Sequence, residues 1–329
     1  MMKLKYLFDN RDLTHMILNN WDHDTDKPGI LDNYRISANA VYPFLKDGDV
    51  FILRFSPVEE HTADTILAEL EFLEYLRSGG YPVPETLPSK NGNELELVNT
   101  PWGDYLAVVF KRVPGNALYK IEITDDVIYG YGKSLGRLHS LSQQYHPERF
   151  KRLSWREQLD WSDTVLSEFT NEIEARNEIE ILRTYLSGLP ADNENYGLIH
   201  YDFETDNVFY NEDDGSFYAI DFDDAHYHWF AVDIDQALDG LFRDLSSRNP
   251  EEIQGFFING YRSEFPVQDS MLELMPVFRR YANLKGYARI VRSTEEKWNH
   301  EPDWMVELRK KLLQSMKTRS IDFGKPVSI

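Results

Sequence analysis

The 329-residue sequence contains no cysteine. Disulfides, thiolate metal sites and a cysteine nucleophile are therefore excluded. No apolar run approaches the length of a membrane span, and residues 1–20 lack an apolar stretch ending in a small-residue cleavage site. Positive charge is scarce: 35 Lys and Arg stand against 56 Asp and Glu, a formal net charge of −21. A field of that sign repels nucleic acid and anionic membranes, so neither is expected as a partner. These features fit a cytoplasmic chain. Repeats and low-complexity segments are also missing.

The remaining composition is globular, with 42% hydrophobic and 28% charged residues. Residues 1–112 read as mixed helix and strand. Asp12–Trp21 has an amphipathic helical pattern. Strands are expected at Tyr34–Ile36, Val41–Phe44 and Val50–Phe55, with a turn at Lys46–Asp49. Thr62 can cap a helix carrying Ile66, Leu70, Leu73 and Leu76 on one stripe, stopped by Gly79-Gly80. Asn91-Gly92 signals a hairpin between Thr86-Leu87 and Glu94–Val98. Tyr105–Phe110 reads as a further strand, and Pro114-Gly115 breaks the pattern. Residues 113–329 then read as mainly helical. Thr124 heads one helix, Ser154-Trp155-Arg156-Glu157 is a capping box, and Asn249-Pro250 heads another helix. One strand-rich island, Leu198–Phe222, interrupts them. A strand-rich lobe (1–112), a short hinge and a helical lobe (113–329) predict a two-lobed α+β fold of the protein-kinase type.

The motif that carries chemistry lies in the island. His200-Tyr201-Asp202-Phe203-Glu204-Thr205-Asp206-Asn207 has the HxDxxxxN spacing of a kinase catalytic loop. Phosphoryl transfer needs positioning and charge neutralisation more than covalent chemistry. Asp202 is the candidate to orient an attacking hydroxyl and accept its proton, and Asn207 the candidate to hold a magnesium ion. Asp221-Phe222-Asp223 follows a second apolar strand and matches a kinase Asp-Phe-Gly segment with aspartate in place of glycine. Asp221 is the second metal candidate.

The first lobe supplies the nucleotide side. Arg54 shares a strand face with Val50 and Ile52, where a protein kinase has its phosphate-binding lysine. Arginine also donates to phosphate, through a rigid fork that keeps its charge. Glu69, fifteen residues on, is placed to pair with it. The loop Ser37-Ala38-Asn39-Ala40 has no glycine, yet its small residues let backbone amides approach phosphate, with Ser37 and Asn39 as added donors. The backbone of Phe110-Lys111-Arg112 is expected to meet a purine edge.

Taken with Asn39-Ala40-Val41-Tyr42, Phe51-Ile52-Leu53-Arg54, Tyr81-Pro82-Val83-Pro84, Leu135-Gly136-Arg137-Leu138-His139 and Ile220-Asp221-Phe222-Asp223-Asp224, the chain resembles the aminoglycoside phosphotransferase and choline kinase-like superfamily along nearly its whole length. The resemblance implies ATP or GTP as donor, magnesium, and a small-molecule hydroxyl acceptor. Family members commonly read His-Gly-Asp in the catalytic loop, so Tyr201 is a departure. Two other readings accompany this one: a nucleotide-binding regulator with little catalysis, and a protein Ser/Thr kinase of the stress-response type.

Glu204, Asp206, Asp223 and Asp224 crowd the motif, and an acceptor bearing an amine would enter their field favourably. Glu204, Asp223 and Asp224 are therefore candidate acceptor-binding residues. Among the remaining polar groups, His139 reads as a packed core histidine, His200 as a brace and Asp233 as an anchor for the catalytic loop. His226 and His228 read as part of a packed segment.

Overall fold

The computed structural model describes residues 1–26 and 28–327. Helix α1 (Arg11–Leu18) begins where Asn10 accepts a hydrogen bond from the Leu13 amide at 3.0 Å. Five strands follow, β1 (Arg35–Ile36), β2 (Ala40–Lys46), β3 (Asp49–Pro57), β4 (Leu95–Thr100) and β5 (Gly103–Lys111), in antiparallel order β1-β2-β3-β5-β4. Asp47 and Gly48 both take positive φ at the β2–β3 turn, as a two-residue hairpin with the native twist requires. Period-two alternation divides the sheet. Leu53, Phe55, Ala107 and Val109 pack with Leu13, Ile17 and Trp21. Leu106, Val108 and Phe110 pack with Leu70, Leu73 and Leu76 of α2 (Ala63–Ser78). Arg54 therefore faces α2 rather than solvent.

The Asn91-Gly92 turn forms, with Gly92 at φ +81°, but the pairing differs from expectation. Thr86-Leu87 does not run against β4. The Leu87 amide donates to Val109 and Thr86 bridges Phe110, so residues 86–87 and β4 occupy the same edge of β5 end to end. One long strand has two backbone segments available to satisfy its edge, and sequence spacing favours the local pair over that arrangement.

Beyond β5 the chain crosses to a largely helical region. Gly115, at φ +81°, passes so close to β8 (Val208–Asn211) that a Cβ would lie 2.2 Å from the Tyr210 carbonyl oxygen. The helices are α3 (Asp125–Ser142), α4 (Trp155–Ser167), α5 (Ile173–Ser187), α6 (Ala231–Asp244), α7 (Pro250–Arg262), α8 (Asp269–Leu272), α9 (Met275–Thr294) and α10 (Asp303–Arg319). Ser154 and Glu157 form the expected capping box at α4. Gly132 lets α3 meet α7 backbone to backbone, since a Cβ there would fall 2.0 Å from the Phe257 oxygen.

The strand island is divided between two small sheets. β6 (Asn116–Ala117), β8 and β9 (Ser216–Ala219) form one, and β7 (Tyr196–Ile199) pairs with β10 (His226–Trp229) to form the other. The β8–β9 hairpin agrees with the turn signal between its strands. The partner of β7 has no such signal, because nothing in His226–Trp229 joins it to a strand thirty residues earlier. β9 ends at Ala219, short of Phe222; Asp221 turns left-handed at φ 66° and Phe222–Asp224 forms a 3-10 turn. Among the described residues no helix is long and apolar enough to cross a membrane.

Candidate active site

β7 delivers the chain into the loop His200–Asn207, and buried polar groups fix that loop. Asp233, in the first turn of α6, accepts from the His200 amide at 2.8 Å and the Tyr201 amide at 2.7 Å. Its Oδ2 also lies 3.1 Å from His139 Nε2, and His139 Nδ1 lies 2.7 Å from the Tyr261 hydroxyl. Burial lowers the pKa of His139 despite Asp233, so the ring is neutral. It donates from Nε2 and accepts from Tyr261 at Nδ1. His139 is thus more than packing. His200 braces the loop from within: Nε2 meets the Ile220 carbonyl at 2.9 Å, and Nδ1 accepts the Asp202 amide at 3.2 Å.

Asp202 is half-buried in this frame. Asn207 donates to its backbone oxygen at 3.0 Å and its Oδ2 at 2.8 Å. Burial, followed by the carboxylates of Asp224, Glu204, Asp223 and Asp206, pushes the Asp202 carboxyl up to about 7. A carboxylate in that range takes up a proton readily near neutral pH.

A cavity of about 320 Å³ opens between the five-stranded sheet and this loop, and Ser37, Asn39, Arg54, Glu69, Asn207 and Asp221 line it. Arg54 Nη1 and Nη2 bind Glu69 Oε1 and Oε2 at 2.9 and 2.6 Å, and Nη1 reaches Asp221 Oδ1 at 3.5 Å. The pair is buried, with 8% of the Arg54 side chain and 1% of the Glu69 side chain exposed. Removing one member strands the other charge. Arg54→Met is accordingly expected to lower unfolding free energy by about 3 kcal/mol, with most of that recovered in Arg54→Met/Glu69→Leu. Urea denaturation of the three proteins checks this; equal losses in both variants would count against a pair-driven effect.

Phe110 and Arg112 also line the cavity, with the Arg54 guanidinium 5.0 Å above the Phe110 ring. The Phe110–Arg112 backbone is less available than the sequence implied. The Lys111 amide is given to Glu85 O at 2.7 Å and the Arg112 amide to Val50 O at 3.2 Å. Carbonyl oxygens are what those two positions leave for a base edge. Asn39 is similarly committed: its side-chain amide donates to Asp223 Oδ2 at 2.7 Å, tying the glycine-free loop to the 3-10 turn.

Asn207 and Asp221 suit a hard divalent cation. Both amide hydrogens of Asn207 go to Asp202, which leaves its Oδ1 to face a ligand. Burial and the neighbouring Asp223 hold the Asp221 carboxyl well above the usual range despite Arg54, a condition that a nearby cation reverses. Oxygen donors of this kind, few in number and supplemented by phosphate oxygens, are what Mg²⁺ takes. Among the described residues no group of three or more His, Cys, Asp or Glu could hold a metal ion by themselves.

The carboxylates beside the motif are less free than their number suggests. Glu204 pairs with Arg243 at 2.7 Å and Asp206 with Arg35 at 3.4 Å. Asp224 takes the fork of Arg289, Nη1 to Oδ2 at 2.7 Å, and lies 3.6 Å from Lys285 Nζ. Burial alone would raise the Asp224 pKa, but Arg289 and Lys285 hold it well below the usual range. Arg152 caps the same turn through the backbone oxygens of Phe222, Asp223 and Ala225. Among the described residues Asp223 is the one of the four whose carboxylate has no cation within 4 Å. A second cavity, about 370 Å³, lies on this side and is lined by His61, Arg152, Trp161, Asp223, Asp224 and Arg289. Sequence reasoning missed Arg152, Lys285 and Arg243. Lys285 and Arg289 stand one helical turn apart, but nothing in α9 alone says what they face.

Comparison with known proteins matches this arrangement to relatives. Residues 37–272 match the model of the phosphotransferase enzyme family. Amicoumacin kinase of Bacillus subtilis (strain 168) is 30% identical over 262 residues, covering 76% of each chain. Among solved structures, amicoumacin kinase hAmiN with AMP-PNP, Ca²⁺ and Ami superposes with a TM-score of 0.76 at 22% identity, over 96% of this chain and 95% of that one. A microcompartment-associated aminopropanol kinase gives a TM-score of 0.70 at 22% identity, over 94% and 95%.

Proposed function

The chain belongs to the phosphotransferase enzyme family and is a small-molecule kinase acting on a hydroxyl acceptor; from that premise we propose how its residues divide the work. Asp202 orients the acceptor hydroxyl and takes its proton as the oxygen attacks the γ-phosphorus of ATP, while the bond from that phosphorus to the β–γ bridging oxygen breaks and ADP leaves. Arg54, steadied by Glu69, donates to the phosphates from the cavity wall, and the Ser37–Ala40 loop covers them. Asn207 and Asp221 hold Mg²⁺. When bound, the ion neutralises charge on the transferring group. Residues 1–112 form the nucleotide lobe and 113–329 the lobe that receives the acceptor. The observation that carries this reading is one cavity walled by Arg54, Asn207 and Asp221, with Asn207 hydrogen-bonded to the Asp202 carboxylate.

For the acceptor, we propose a hydroxyl compound that also carries an amine. Asp223 supports this, since it lines the second cavity and its carboxylate has no cation within 4 Å among the described residues. The aminopropanol named for one structural neighbour combines the same two groups. Glu204 and Asp224 keep a part in acceptor binding through the shape they impose with Arg243 and Arg289. The experiment is a panel of amino alcohols, hydroxy amino acids, sugars and aminoglycosides, incubated with Mg-ATP and read by mass spectrometry for one added phosphoryl group. An amine-bearing product is expected. Asp223→Asn is then expected to raise KM for that acceptor about tenfold, with KM for ATP unchanged. A preferred acceptor of net negative charge would overturn the proposal.

A further inference from the structure

Tyr201 sits in the catalytic loop with φ at 66°. That left-handed conformation is open to glycine but is an outlier for a bulky aromatic residue. The Asp233 carboxylate holds the Tyr201 amide, which orients the peptide but does nothing for the side chain. The ring is almost fully buried and points toward α9. It meets His226 at 4.4 Å between centroids and Tyr281 edge-on at 6.3 Å. Lys285 Nζ lies 3.7 Å from the ring centroid.

Lys285 is itself unusual. It occupies the buried stripe of α9 with Phe278, Tyr281, Leu284 and Ala288, and only 1% of it is exposed. Its Nζ has no hydrogen-bond partner among the described residues. Asp224 Oδ1, at 3.6 Å, is beyond hydrogen-bond reach and is already bound by Arg289. Burial pulls the amine down to about 7 against the attraction of Asp224. A buried amine without an acceptor is costly, and a methionine would fill the same space without that cost. Besides the 3.6 Å ion pair with Asp224, the amine meets the face of Tyr201, where the positive end of its N–H bonds lies against the negative face of the ring.

We propose that Lys285 is a positioning residue: its amine, set against the ring, keeps Tyr201 in the left-handed conformation that presents the adjacent Asp202 carboxylate. The proposal rests on the reading of Asp202 as proton acceptor. Where a loop has glycine, the backbone reaches that conformation unaided. In this chain the side chain must be held, and α9 supplies the hold.

A double-mutant cycle tests it with Lys285→Met, Tyr201→Gly and the double variant. The activity probe is slow hydrolysis of Mg-ATP, in which water takes the acceptor's place and no acceptor need be known. Lys285→Met is expected to lower turnover about tenfold with KM for ATP unchanged, since the nucleotide cavity is not touched. In the Tyr201→Gly background the same change is expected to cost less than about twofold. Equal losses in both backgrounds would mean that Lys285 acts independently of Tyr201, and no loss in the parent would mean that it positions nothing; either overturns the proposal. Urea midpoints of the four proteins give the same cycle without activity: the change on Lys285→Met is expected to differ between the Tyr201 and Tyr201→Gly backgrounds, and equal changes in both would overturn the contact. If Lys285→Met alone is insoluble, a soluble double variant upholds the coupling and an insoluble one overturns it. Asp202→Asn, assayed in parallel, separates the two ideas. Unchanged hydrolysis there would sink the role of Asp202, while the urea cycle would still judge the contact between Lys285 and Tyr201.

Discussion

Asp202→Asn is expected to lower acceptor-dependent turnover by about 10²–10⁴-fold, the range typical of a lost general base. The substitution keeps size and shape, and the Asn207 hydrogen bond at 2.8 Å can be made to an amide oxygen as to a carboxylate. His200, Asp233 and the Tyr201 amide hold the backbone of the loop and are not touched. The fold, the melting temperature and the affinity for ATP should therefore stay near those of the parent, so that the loss appears in kcat. An Asp202→Asn protein that phosphorylates its acceptor at the parental rate would remove Asp202 from the chemistry. Calorimetric titration with ATP, run beside the steady-state assay, separates lost chemistry from lost binding.

The second large effect is expected at Asp221. Asp221→Ala removes one of the two side chains proposed to hold Mg²⁺, and a fall in turnover of about 10³-fold is expected. The variant should be recognisable by its metal dependence. In the parent, adding Mg²⁺ should strengthen nucleotide binding and EDTA should reverse the gain. In Asp221→Ala both responses should be absent, while metal-free nucleotide binding survives through Arg54 and the hinge. Structural damage is expected to be small, because Arg54 keeps both hydrogen bonds to Glu69 and its contact with Asp221 is the longest of the three at 3.5 Å. Parental Mg²⁺ activation in Asp221→Ala would assign the metal elsewhere.

The two predictions rely on residues that lie nineteen apart in sequence and meet for different physical reasons. Asp202 is fixed by a loop whose anchors are buried polar groups. Asp221 is fixed by a left-handed turn at the end of β9, and the following 3-10 turn is capped by Arg152 from the segment before α4. The carboxylates near the motif likewise have two fates. Those reached by Arg35, Arg243 or Arg289 are paired in place, and Asp223, which accepts from Asn39, lines the second cavity with no cation at its carboxylate among the described residues.

Parts of the molecule whose signals are local were legible in the chain alone. The HxDxxxxN loop, the Asp221-Phe222-Asp223 segment, the caps of α2, α3 and α4, the Asp47-Gly48 hairpin and the Arg54 strand face all follow from spacing, turn chemistry or period-two alternation within a few residues, whereas the left-handed turn at Asp221 does not. The Arg54–Glu69 pair was legible because Arg54 alternates onto one strand face with Val50 and Ile52, and Glu69 lies fifteen residues on, on the helix that follows. Pairings between distant segments were settled only in the folded chain. β7 found β10, Thr86-Leu87 joined the edge of β5, and Asp224 was claimed by Arg289 from α9, sixty-five residues later. No local propensity encodes which buried charges meet. That choice is made when helices assemble: the apolar stripe of α9, with Phe278, Tyr281 and Leu284, is buried, and this carries Arg289 to Asp224 and Lys285 against Tyr201.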